Sequence, residues 1–235
     1  MNLEYYAVAA IVVLGAFVQG SIGVGFALIA VPVIAFVDRE LLPACVLALM
    51  IPLNAYVIWR EHTAVDWSGA GWITAGRVLG TAGGLALLAL LLPADLSVAT
   101  GVVMIAAALV TLLAPYFEPD RRSLFAAGVI TGVTETATGI GGPPLALVYQ
   151  HQTGPTLRST LATCFLIGQV FSLLALMTVG RVTAAQLVSA AMLLPALVVG
   201  LFASKHVHKG LEGPWLRRFV LLFAVVSGVG LLVSR

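Results

Sequence analysis

Hydrophobic positions along this chain fall in long blocks: residues 5–37, 41–59, 67–92, 96–115, 123–150, 159–180, 183–203 and 215–234. Charged residues gather between them, as in Asp38-Arg39-Glu40, Arg60-Glu61-His62 and Glu118-Pro119-Asp120-Arg121-Arg122. Most blocks are near the roughly 20 residues that a helix needs to cross a bilayer. No gap is long enough for a soluble domain, so the pattern predicts one all-α integral membrane domain over residues 1–235.

Two blocks are cut by glycine strings. The first reads Gln19-Gly20-Ser21-Ile22-Gly23-Val24-Gly25-Phe26, the second Glu135-Thr136-Ala137-Thr138-Gly139-Ile140-Gly141-Gly142-Pro143-Pro144. Sliding one onto the other pairs Gly23 with Gly139 and Gly25 with Gly141. A break at the same place in both halves of a membrane chain points to a transport site, because irregular backbone at membrane depth survives only where protein or a polar cavity covers it. Further matches pair Asn54 with Gln169, Gly80 with Gly200, and Gly84 with Ser204. The expected fold is therefore two inverted repeats, 1–117 and 118–235, each a re-entrant hairpin plus three transmembrane helices. Residues 5–18 and 25–37, about 14 residues or roughly 20 Å each, are expected as the short arms of the first hairpin. Gly76-x-x-x-Gly80-x-x-x-Gly84 is a spacing that allows close helix contact.

Composition agrees with the blocks: 60% of residues are apolar, 9% are charged, and mean hydropathy is +1.07, outside the soluble range. A net charge of +2 gives no reason to expect a nucleic-acid partner. Charge placement sets the topology, since cytoplasmic loops collect Lys and Arg. Eight full crossings would split the basic residues almost evenly. Two hairpins instead put Arg60, Arg121, Arg122, Arg158, Lys205, Lys209, Arg217 and Arg218 on one side, against Arg39, Arg181 and Arg235. The hairpin arrangement predicts periplasmic termini in a bacterial inner membrane. The opening Met1-Asn2-Leu3-Glu4 has an acid where a basic leader belongs, so no cleavable signal is expected. Cys45 and Cys164 lie inside apolar blocks and read as packing residues.

The candidate site residues lie at the breaks. The second arm of each hairpin starts near Gly25 and near Pro143, where unpaired N–H groups and the helix dipole favour an anion. Gly20, Gly23, Gly25, Gly139, Gly141 and Gly142 let a ligand approach the backbone, and Ser21, Thr136 and Thr138 offer hydroxyls. The competing reading is that these glycines only permit helices to cross. Glu135 is the one acid inside an apolar block and a functional candidate on that ground; as a proton carrier it would couple anion movement to a gradient, whereas a structural Glu would stitch the hairpin to its neighbours. Its partner position holds the neutral Gln19. Arg77, matched by Leu197, supplies a cation for the anion or else snorkels to the surface. Asn54 and Gln169 line the cavity or bond helix to helix. Trp59, Trp67, Trp72 and Trp215 read as interfacial anchors. His62, His151, His206 and His208 fall in loops, and neither a metal motif nor a nucleotide loop is apparent, so no cofactor or metal is expected.

These motifs resemble the sulfite exporter TauE/SafE family. The matching pieces are Gly20-x-x-Gly23-x-Gly25 with Pro32, Thr138-Gly139-Ile140-Gly141-Gly142-Pro143-Pro144, Leu194-Pro195-Ala196-x-x-x-Gly200, and the final basic-then-apolar helix from Trp215. Phe26 departs from the pattern, standing where a third glycine is common. The resemblance implies a secondary transporter of sulfite or small organosulfonates such as sulfoacetate. The expected partners are a small anion and the lipid bilayer. A membrane-embedded enzyme and a passive anion channel stay open as alternatives. Against the first, no intramembrane His is placed to activate Ser21.

Overall fold

The computed structural model describes residues 3–90, 93–113, 118–207 and 214–233. These form ten α-helices: α1 (Leu3–Ile22), α2 (Phe26–Val37), α3 (Ala44–Glu61), α4 (Trp67–Leu90), α5 (Pro93–Leu113), α6 (Arg121–Thr138), α7 (Gly142–Tyr149), α8 (Gly154–Thr178), α9 (Ala184–Val207) and α10 (Pro214–Val233). Single 3-10 turns at Arg39–Leu41 and His62–Ala64 link α2 to α3 and α3 to α4. There is no strand among the described residues, and five helical stretches are long and apolar enough to cross a membrane: Glu4–Ile22, Ala44–Ala64, Trp67–Leu90, Gly154–Thr178 and Ala184–Lys205. The chain is an all-α membrane protein. The basic flank at His208 and Lys209 lies outside the described residues, as do the side chains of Trp215, Arg217 and Arg218.

Both glycine strings are sharp reversals. α2 folds back on α1, and α7 on α6. The expected arm lengths need correcting for the first hairpin. α1 runs unbroken for 20 residues, about 30 Å at 1.5 Å per residue, which matches a whole hydrocarbon core. Gln19, Gly20 and Ser21 stay helical because their surroundings satisfy them. A Cβ on Gly20 would overlap the Ser204 hydroxyl, and guanidinium groups reach the carbonyls of Gly20 and Ser21. The chain turns only at Gly23 (φ +85°) and Gly25 (φ +123°), left-handed conformations that suit glycine alone. In the second hairpin Glu135 to Thr138 likewise stay helical, and the turn begins at Gly139 (φ +81°), whose N–H caps onto the Glu135 carbonyl at 2.8 Å. α6 opens with a reciprocal capping box between Asp120 and Ser123. The Ser123 hydrogen bonds hold the Asp120 carboxyl below its usual pKa.

Helix packing repeats across the two halves. α1 packs on α9 as α6 packs on α4; α3 meets α9 as α8 meets α4; α2 meets α10 as α7 meets α5. The equivalent helices α3 and α8 touch each other, and so do α5 and α10. The main apolar core is built from α1, α2 and α3 with parts of α5, α9 and α10, around Phe26, Ile29, Ile34, Leu49 and Leu53. Trp59 and Trp67 are 74% and 67% exposed at neighbouring helix ends, as interfacial anchors require.

Candidate functional site

A close backbone contact between α4 and α6 positions the site. Gly76, Gly80 and Gly84 of α4 lie against Gly128 and Gly132 of α6, where backbone meets backbone. A Cβ on Gly80 would overlap the Val129 carbonyl, and one on Gly128 would overlap that of Ile73. The predicted close contact is therefore present, and its other half is a second small-residue pair on α6. Such stripes let helices approach without intervening side chains. The approach brings Arg77 of α4 beside Glu135 of α6, one turn before the second hairpin's tip. The two form a buried ion pair, with side chains 1% and 0% exposed. Arg77 does not snorkel.

From Glu135 a chain of buried side chains crosses to the other hairpin. Gln169 of α8 donates to Glu135 Oε1 at 3.0 Å, and Asn54 of α3 donates to Gln169 Oε1 at 3.0 Å. Gln19 of α1 donates to Asn54 Oδ1 at 3.1 Å, and its own Oε1 accepts the Phe26 N–H at 3.0 Å. That last bond satisfies one of the orphan donors at the start of α2. The four positions paired by sequence across the two halves thus form one row. The two tips also meet: a Cβ built on Gly142 would sit 3.8 Å from Val24.

Arg77 has more donors than partners. Among the described residues nothing accepts from its Nε or Nη1, and the hydroxyl of Thr81, one turn along α4, is also unpartnered. Phe165 of α8 covers the guanidinium, 5.8 Å from ring centre to Cζ. Gly168 makes the room, since a Cβ there would overlap Arg77 Nε, Cζ and Nη2. Buried polar groups are normally hydrogen-bonded, so orphaned donors of this kind ask for an explanation.

The chain matches the family described as Sulfite exporter TauE/SafE over residues 7–231. It belongs to that family. Membership places this multi-pass chain among membrane transporters, in a family described by sulfite export. Neither a curated protein nor a solved structure matches it.

In this TauE/SafE protein the expected site residues sort into three sets. Arg77, Glu135, Gln169 and Asn54 form the connected polar row, joined by Gln19, which was not an expected site residue. The glycines at 23, 25, 139, 141 and 142 shape the two tips beside it, whereas Gly20 stays within α1 against Ser204; Gly141 packs against Glu135 and Thr131, and the Thr131 hydroxyl donates to the Gly141 carbonyl at 3.2 Å. The three expected hydroxyls have protein partners. Ser21 donates to the Phe17 carbonyl at 2.8 Å, Thr138 to that of Thr134 at 2.8 Å, and Thr136 pairs with Ser172 at 2.8 Å. Sequence reasoning missed Thr81, Phe165 and Gly168. The signals were there: Thr81 is four residues after Arg77 on one helix face, and Gly168 directly precedes Gln169. A cavity of about 340 Å³ between α5, α6 and α7, lined by Val103, Ile130, Ile140, Pro143 and Leu147 among others, is apolar and includes none of the polar row.

Proposed function

We propose that this protein exports sulfite or a small organosulfonate through a central pocket formed by Arg77, Thr81, Glu135, Gln169 and Gly168. The unpartnered donors of a fully buried Arg77, beside the equally unpartnered Thr81 hydroxyl, carry this reading. An oxyanion brings several acceptor oxygens, and a planar guanidinium binds such oxygens by paired, charge-assisted bonds. Glu135 balances the charge of Arg77 while the pocket is empty. When an anion takes over the guanidinium, a charged Glu135 would repel it, so Glu135 binds a proton as the anion arrives and releases it as the anion leaves. Anion and proton then leave together, so a proton gradient directed along the anion's path speeds transport and an opposing gradient slows it.

Access alternates between the two faces of an inner membrane, and the arrangement with every residue of the polar row buried corresponds to the occluded state. The halves 1–117 and 118–235 act as inverted repeats, in keeping with helix pairings that survive their exchange. The helix ends and turns at 60–66, 118–122 and 151–158 face the cytoplasm and the termini the periplasm. Labelling of a cysteine at Thr63 from outside would overturn that orientation. The substrate reading is tested by a thermal-shift panel of sulfite and C2–C3 sulfonates against sulfate and carboxylates. Sulfite or a sulfonate is expected to stabilise the native protein and to stabilise Arg77→Gln/Glu135→Gln far less. A shift by carboxylates alone, or an undiminished sulfite shift in that variant, would contradict it.

A further inference from the structure

A second set of charges sits at the tip of the first hairpin, apart from the Arg77 pocket. Arg60 and Glu61 end α3, and Arg158 lies in the second turn of α8. Arg158 Nε donates to both Glu61 oxygens, at 3.1 and 3.0 Å, and Arg60 Nη2 donates to Glu61 Oε1 at 3.0 Å. One carboxylate is thus held between two guanidinium groups. The same groups grip the end of α1. Arg60 Nη2 donates to the Gly20 carbonyl at 2.9 Å and Arg158 Nη1 to that of Ser21 at 3.3 Å, where last-turn carbonyls and the helix dipole favour cations.

The cluster is enclosed. The Arg60, Glu61 and Arg158 side chains are 15%, 13% and 6% exposed, and Arg60 lies against the Tyr56 ring, 5.8 Å from its centre. Arg60 Nε and Nη1 are nevertheless buried without a partner among the described residues. Next to the Gly20 carbonyl in sequence is Gln19, the first member of the polar row that leads to Arg77. At the other tip Ala137 packs with Leu47, Leu88 and Leu176, and the neighbouring Glu135 pairs with Arg77 instead.

We infer that Arg60 and Arg158 form a second oxyanion site, a gateway on the path to Arg77, and that Glu61 occupies it as an internal stand-in for the transported anion. The carboxylate fills the cleft while the first hairpin is clamped shut. An arriving sulfite or sulfonate, with three oxygens instead of two, displaces Glu61 and also reaches the idle Arg60 donors. Displacement loosens the hold of Arg60 and Arg158 on the Gly20 and Ser21 carbonyls and frees the tip. This inference rests on the anion-transport reading above and goes beyond it by adding a site and a gate.

Sulfite titration by calorimetry separates the two. In Arg77→Gln/Glu135→Gln, where the central charges are removed together, sulfite is expected to bind still at a weaker site. Adding Glu61→Gln should tighten that residual binding about tenfold, the factor for losing one competing charge-assisted bond; adding Arg60→Gln should abolish it. A second readout works in the otherwise native chain: the part of the tryptophan fluorescence that Trp59→Phe removes should respond to sulfite, and Arg60→Gln should silence the response. No residual binding in the central variant, or residual binding indifferent to both substitutions, would overturn the gateway while leaving the central site standing. If sulfite and the sulfonates bind nowhere in the native protein, the transport reading fails, and the gateway with it.

Discussion

The two hairpins share a backbone plan and differ in chemistry. Each turns through a left-handed glycine, Gly23 at φ +85° and Gly139 at φ +81°, and each places an amide or carboxylate side chain one turn earlier. In the first hairpin Gln19 turns inward and satisfies the Phe26 N–H of its own second arm. In the second, Glu135 packs against Gly141 of its own tip but bonds to Gln169 and Arg77 on other helices. The first tip is clamped by charges from α3 and α8, whereas at the second Gly139 faces Val31 and Val46. Repetition supplies the scaffold, and the departures from it supply the chemistry.

The difference is sharpest at the pair formed by Arg77 and its counterpart Leu197. Arg77→Met leaves Glu135 buried without its cation and should cost about 3–5 kcal/mol, most of which the further change Glu135→Gln should recover by removing the stranded charge. Leu197→Met, at the equivalent place on α9, should cost less than about 1.5 kcal/mol. Denaturant or thermal unfolding in detergent measures all three. Similar losses at positions 77 and 197 would erase the asymmetry.

The tips themselves offer a finer comparison. Alanine at Gly23 or Gly139 meets the same left-handed strain, about 1–2 kcal/mol. At Gly139 the new methyl finds ordinary contacts, with Val31 at 3.4 Å and Val46 at 3.7 Å. At Gly23 it also presses on Arg158, whose Cγ and Cα would lie 2.9 and 3.0 Å away. Gly23→Ala should therefore be the more damaging by about 1–3 kcal/mol, the usual cost of overpacking. Equal melting temperatures would mean that the clamp yields freely.

The hydrophobic blocks, the two glycine breaks and the four paired polar positions were all legible in the sequence, because hydropathy, glycine and intramembrane polar residues each carry a large energetic penalty when misplaced. Arg77 was visible as a candidate, but its direction was not: whether a long side chain snorkels or turns inward depends on what faces it. Here that is Gly168, a space on another helix that spacing along α4 cannot reveal. The length of α1 was misjudged for a related reason. Gly20 and Ser21 look like part of a break, yet a tight fit to Ser204 and two distant arginines keep them helical. The charge counts that set the expected topology used Arg60 and Arg158 only as loop charges, and their convergence on Glu61 needed the fold.

The central claim is that anion and proton share one site, with Glu135 taking up a proton as the anion takes Arg77. Sulfite flux in reconstituted vesicles, measured at two imposed proton gradients for the native protein and for Glu135→Gln, tests it most directly. The account predicts that native flux rises when the proton gradient points along it and falls when the gradient opposes it, and that Glu135→Gln still binds sulfite but carries it at a rate indifferent to the gradient, since Gln19 offers no titratable substitute in the other hairpin. Flux in Glu135→Gln that follows the gradient as the native protein does would contradict it.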